Sequence, residues 1–118
     1  MRIVFGLMVA VALSICACSH STPPQSTNPA WVDQLIAKFQ SDPVGNPPRS
    51  IYKYDYNGQT GYYVPPQCCD QYSQLYDANG TIICAPDGGL TGRGDKKCSD
   101  FFNGSTNRTL IWHDSRTR

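Results

Sequence analysis

Beyond its first eighteen residues this chain keeps all of its cysteines in one stretch, Cys68 to Cys98, CCDQYSQLYDANGTIICAPDGGLTGRGDKKC. Four cysteines in an export-competent chain read as a disulfide framework, and they limit the fold to something compact around that block. Adjacent cysteines are poor partners, because a disulfide wants its alpha carbons further apart than one peptide allows. The expected bridges are therefore Cys68 with Cys84 and Cys69 with Cys98, or Cys68 with Cys98 and Cys69 with Cys84. Closing loops of this length contributes about 3 kcal/mol each, comparable with the whole stability of a small domain. A tetrathiolate zinc site is the competing use of four cysteines. Cys68-Cys69 lacks the two-residue spacing of a zinc knuckle and an oxidising compartment works against thiolates, so no metal is expected.

The 118 residues allow one domain. Charged residues make up only 16% of the chain, and glycine, proline, serine and asparagine are abundant, so turns must form much of the surface. The acids are all aspartates, and the formal net charge of +1 falls to zero without Arg2. Such a balance gives no electrostatic footprint for nucleic acid, and no polybasic run suggests a headgroup patch.

The first residues carry the most specific signal. Arg2 precedes an apolar run, Ile3 to Leu13, of signal-peptide length and too short to span a bilayer. Ile15-Cys16-Ala17-Cys18 then resembles the bacterial lipobox, which implies removal of residues 1–17 and lipidation of Cys18, with Cys16 as the second choice. Several acyl chains anchor stably where one does not. Ser19 stands where an aspartate would resemble inner-membrane retention, so the outer membrane is the expected destination. Residues 18–27, with Pro23-Pro24, read as a tether, His20 as a solvated tether residue, and residues 28–118 as one small disulfide-stabilised domain.

Within that domain, Asn28-Pro29 reads as an N-cap followed by proline at the first helical position. Trp31, Leu35 and Phe39, with Val32 and Ile36 beside them, define an amphipathic helix of about three turns, ended by Asp42-Pro43. Asn57-Gly58 between alternating runs predicts a type I′ hairpin over 51–64, with Tyr52 facing Tyr63, Tyr54 facing Gly61 and Tyr56 facing Gln59. Tyr52, Tyr54, Tyr56 and Tyr63 then share a face, either packed as amphipathic core or exposed as a stacking surface for sugar or peptide. Asp77 to Gly80 predicts a second hairpin. Thr109 to Trp112 predicts a last strand, with Leu110 and Trp112 pointing one way and the arginines beyond it in a frayed terminus. The expected fold is α+β: one N-terminal helix packed on short antiparallel hairpins, disulfide-stapled and rich in loops.

Function is less legible. The run Gly88 to Asp95 offers an anion nest or, through Asp87 and Asp95, a calcium site, but it lacks the phosphate-loop lysine and the calcium-loop spacing. A loop that needs glycine for its backbone path is the simpler reading. His113-Asp114 suggests a catalytic pair, yet consecutive strand side chains diverge, and no serine stands beside a plausible base.

The combination of Asn46-Pro47-Pro48, Tyr62-Tyr63-Val64-Pro65-Pro66-Gln67-Cys68-Cys69-Asp70, Leu75-Tyr76-Asp77, Ile83-Cys84-Ala85-Pro86-Asp87-Gly88-Gly89, Thr91-Gly92-Arg93-Gly94-Asp95 and Cys98 resembles a family of short, uncharacterised exported proteins and lipoproteins, mainly bacterial. The resemblance runs from about Trp31 to the end and implies a shared architecture and no activity. Gly61, Lys96 and Gly80 depart from the pattern, which often has a β-branched residue, a glycine and, in some members, a cysteine there. The leading expectation is a non-enzymatic, lipid-anchored envelope module with no cofactor. It would be structural, or bind an envelope protein or glycan through Tyr52, Tyr54, Tyr63, Asp87, Arg93 and Asp95. A disulfide-clamped protease inhibitor presenting the Gly88–Lys97 loop is the alternative. A wall-sugar hydrolase using Asp70 with Asp87 or Asp95 is the third reading.

Overall fold

The structure, a computed structural model, describes residues 24–118, so the leader, Cys18 and the start of the tether lie outside the described residues. A helix, α1 (Ala30–Ser41), precedes an antiparallel sheet of β1 (Ser50–Tyr56), β2 (Gln59–Val64), β3 (Gln74–Tyr76), β4 (Ile82–Cys84) and β5 (Thr106–His113), with a single turn of helix, α2 (Phe101–Gly104), before the last strand. Strand order is β4-β3-β2-β1-β5, so two hairpins lie side by side and the final strand crosses over to pair with β1. The fold is α+β, as the periodicities predict.

The first hairpin forms in the expected register, with Tyr52 opposite Tyr63, Tyr54 opposite Gly61 and Tyr56 opposite Gln59. Its turn is possible because Asn57 and Gly58 both take positive φ, 51° and 75°, which asparagine and glycine tolerate best. In the second hairpin Asp77 Oδ1 accepts from the Asn79 and Thr81 amides, so one aspartate side chain fixes the turn.

The two faces of the sheet bury different residues. Ile51, Tyr62, Val64 and Tyr76 pack under Val32 and Phe39 of α1, with Trp31, Leu35 and Ile36 at the margin. Trp31 lies edge-on to Tyr62 at 5.1 Å between ring centroids, and its Nε1 donates to the Ala78 carbonyl at 2.9 Å, tying α1 to the second turn. On the opposite face Tyr54, Tyr63, Leu75 and Cys84 pack against Cys98 and Phe101, with Tyr52 and Tyr56 half-buried beside them. The helix therefore covers the face opposite the tyrosine ladder, while the segment 85–104 covers the ladder itself. The molecule has three layers: helix, sheet and cystine-bearing loop.

Several expectations are corrected here. Helix α1 starts one residue later than expected, with Pro29 as its N-cap; Asn28 instead donates from Nδ2 to Asp33, which also accepts from Ser26 Oγ. Strand β5 begins earlier, and a bulge between its pairings with Ile51 and Tyr52 breaks the alternation. Ile111 and Trp112 consequently both reach the α1 side, whereas Leu110 is left 55% exposed. Arg116 is not frayed. Its guanidinium donates to the carbonyls of Phe39, Gln40 and Asp42 at 2.9–3.1 Å and to buried Asp114, so a cation satisfies the C-terminal carbonyls of α1 where the helix dipole is negative.

Neither expected cysteine pairing occurs. Cys84 bonds Cys98, and Cys68 bonds Cys69. The physical reason lies in the layers. Cys84 leaves β4 on the ladder face, opposite Leu75, and meets Cys98 in the loop that covers that face. Cys68 and Cys69 occupy an exposed turn beyond β2, outside that buried cluster, and are left to each other.

Candidate functional site

The loop between Cys84 and Cys98 is exposed from Leu90 to Arg93 and tied down by the cystine and by the Tyr63–Asp87 hydrogen bond. Its path needs glycine: Gly94 has φ +61°, and a Cβ there would run into the Ala85 carbonyl. Its amides are largely spent inside the loop and on its neighbours. Those of Gly89, Gly92, Gly94 and Asp95 donate to the carbonyls of Gln71, Gly89, Gly88 and Ala85. These four N–H groups are therefore not open to an anion nest.

The sequence candidates separate into buried and exposed sets. Tyr54 and Tyr63 are buried, with Tyr63 packed against Phe101 and Phe102. The Tyr63 hydroxyl donates to Asp87 Oδ1 at 2.9 Å; burial first, and then this hydrogen bond, push its phenol far above the usual tyrosine range. Asp87 is thus a structural acceptor that pins the start of the loop to the ladder, helped by Ser73, whose hydroxyl exchanges hydrogen bonds with the Asp87 backbone. Tyr52 is half-buried and carries the Arg108 guanidinium 4.2 Å over its ring, so it offers no bare stacking face. Asp95 Oδ1 accepts from the Lys97 amide and stiffens the turn. Asp70 lies in the exposed turn with Cys69. Among the described residues no group of three or more His, Cys, Asp or Glu side chains is arranged to hold a metal ion.

What the structure does bring together is Pro86, Arg93, Lys96 and Ser99, which line an open cleft of about 370 Å³ beside the cystine. Arg93 is the one sequence candidate in it. Lys96 was legible only as a departure from the pattern, and Ser99 carried no signal because its neighbours in space come from a loop path that spacing does not specify. Lys96 holds φ +66°, a left-handed conformation that costs a side-chain-bearing residue about 1 kcal/mol. The side chains of Arg93 and Lys96 form no salt bridge among the described residues.

Ser50 and His113, directly opposite each other on β1 and β5, also meet, with Ser50 Oγ 2.8 Å from His113 Nδ1. A serine does stand beside a base, contrary to the sequence reading. Among the described residues no acid is hydrogen-bonded to His113; Asp114 turns its carboxylate to Arg116, which lowers the Asp114 pKa through hydrogen bonding. A second, polar depression of about 80 Å³ lies near Arg49, Gln67 and Gln74, on the scale of a water or two.

No curated protein and no solved structure matches this chain. One family model does, over residues 37–114, a span that takes in the sheet, both cystines and the cleft. By that match the chain belongs to the DUF6970 family, a domain of unknown function.

Proposed function

We propose that the protein is a lipid-anchored module of a bacterial cell envelope, with Cys18 as the lipidated residue and the outer membrane as its destination. It is non-enzymatic, and it meets an envelope protein or glycan through the loop between Gly88 and Lys97. The anchor rests on the spacing of apolar run, Ala17 and Cys18 in the sequence. The observation that carries the binding role is the rigidly mounted loop: bridged by Cys84–Cys98, pinned by Tyr63 to Asp87, and exposing Leu90 at 87% together with the Arg93–Lys96 cleft. The tyrosine ladder no longer competes for this role, because Phe101 and Cys98 cover it. A protease-inhibitor role fits less well. Arg93 sits between Gly92 and Gly94, both at positive φ, so the backbone turns where a segment docked along a protease must run extended.

Full-length protein expressed in a two-membrane bacterium with labelled palmitate should take up label and sediment with the outer membrane. Cys18→Ala should lose the label and become soluble; a labelled, sedimenting Cys18→Ala protein would remove the anchor from the proposal. Capture of a partner from envelope extract by the full-length chain should fail with Arg93→Ala.

A further inference from the structure

We infer that the cleft formed by Pro86, Arg93, Lys96 and Ser99 is a binding site for a phosphate group, on a soluble phosphate monoester or on a lipid-type phosphodiester. The inference rests on the loop being the binding surface and is independent of the lipid anchor.

Two cations three residues apart line the cleft and no carboxylate does. The aspartates that flank them in sequence are turned to structural work: Asp87 accepts from Tyr63, and Asp95 accepts from the Lys97 amide. Arg93 and Lys96 therefore put two positive charges on the cleft wall with no acid lining it, and an anion placed between them is attracted by both. The left-handed backbone at Lys96 also costs energy at a surface position where glycine would not, and it places an ammonium on the cleft wall.

The donor types favour phosphate among anions. A guanidinium offers two parallel N–H groups to a pair of oxygens, an ammonium supplies a compact charge, and the Ser99 hydroxyl adds a third donor. Three donors of different shape suit an anion with three or four oxygens better than a carboxylate with two. The volume, about 370 Å³, lies at the small end of ligand sites and accommodates a phosphate with a short substituent. With the amides of Gly89, Gly92, Gly94 and Asp95 already committed, affinity rests chiefly on side-chain charge and should fall steeply with salt.

The test is an amide-shift titration of the full-length chain in neutral detergent. The probes are inorganic phosphate, glycerophosphoglycerol as the soluble headgroup diester of phosphatidylglycerol, and acetate. Saturable shifts with phosphate, centred on Arg93, Lys96 and Ser99 and weakened at least tenfold in an Arg93→Ala/Lys96→Ala double variant, are expected. Arg108→Ala, which removes a cation on β5, should leave the titration unchanged. Tighter response to the diester identifies a lipid-type headgroup as the source, and tighter response to inorganic phosphate identifies a soluble monoester. Equal response to acetate, no saturable shift, or full binding by the double variant would overturn the inference. Lys96→Gly, which relieves the backbone at that position and should fold at least as well, guards against loss of structure: it should bind more weakly while melting no lower than the parent.

Discussion

The two bridges should contribute very unequally to stability, and the difference can be worked out from connectivity. Cys84 and Cys98 are separated by 14 positions, and closing a loop of that size removes about 3 kcal/mol of unfolded-chain entropy. The same expression for Cys68–Cys69, which closes a single peptide, gives only about 1 kcal/mol. In a domain of this size each kcal/mol shifts the melting temperature by about 4–8 °C, so losing Cys84–Cys98 should lower Tm by roughly 12–24 °C. Losing Cys68–Cys69 should cost less than half of that. The assay is thermal unfolding by circular dichroism on the parent, Cys68→Ala/Cys69→Ala and Cys84→Ala/Cys98→Ala, each with and without a phosphine reductant. Alanine also removes two buried sulfurs, so reduction of Cys68→Ala/Cys69→Ala, which breaks only the Cys84–Cys98 bond, isolates the entropic part. The reasoning fails if reduction leaves the parent Tm unchanged, or if the exposed pair proves as costly to remove as the buried one.

Other perturbations test the remaining layers. Phe101 is fully buried and touches Tyr54, Tyr56, Tyr63 and Phe102, so Phe101→Ala should destabilise by about 3–5 kcal/mol in urea unfolding. Gly94→Ala adds a collision with the Ala85 carbonyl to a left-handed backbone and should cost more than about 1 kcal/mol, read in the same assay. Asp114 has a folded pKa below its unfolded value, because it accepts from Arg116; its contribution is present above about pH 4 and is lost as pH falls through the folded pKa. Asp114→Asn should therefore flatten the acid limb of the stability profile. Burial raises the pKa of Tyr63, Tyr76 and Tyr62, so stability tied to them is intact below about pH 10 and declines above it. Absorbance titration of the folded protein at pH 11 should show fewer tyrosinates than the urea-unfolded chain, and equal counts would contradict the packing of these rings.

Local rules read the sequence well where a short segment determines its own shape. Asn57-Gly58 set the hairpin and its register, Asp42-Pro43 ended α1, and Trp31, Phe39 and their neighbours marked the buried stripe. What remained illegible depends on contacts between distant segments. Helix and tyrosine ladder both looked apolar enough to be partners, and nothing local says that α1 takes the Ile51–Tyr62–Val64 side while Phe101 takes the other. The cystine error follows from that, since Cys84 finds Cys98 only when the loop has been laid on the ladder face. Arg116 looked like a free terminus because its partners, the last carbonyls of α1, lie more than seventy residues away. The cleft was half visible: Arg93 stood out by type, whereas Lys96 and Ser99 join it through a run of left-handed residues whose path no periodicity encodes.

The ladder's burial also explains why the loop can serve as a site at all. A glycine-rich segment free in solution would lose much conformational entropy on gripping a ligand. Here that cost is met in folding, because the segment is the third layer of the core. Tyr63 holds Asp87 at one end, Cys98 and Phe101 sit in the ladder at the other, and Tyr56 donates to Asp100 at 2.8 Å just beyond. Tyrosine suits this role better than leucine or phenylalanine, since each ring supplies apolar area toward the sheet and a hydroxyl that reaches out to fix the loop. Tyr63→Phe keeps the ring and deletes only that hydroxyl. It should preserve most of the stability while loosening Asp87, and faster amide exchange across residues 87–95 with an unchanged β1–β2 hairpin would be its signature. Unchanged exchange in the loop would mean that Phe101 and the Cys84–Cys98 bridge alone hold it.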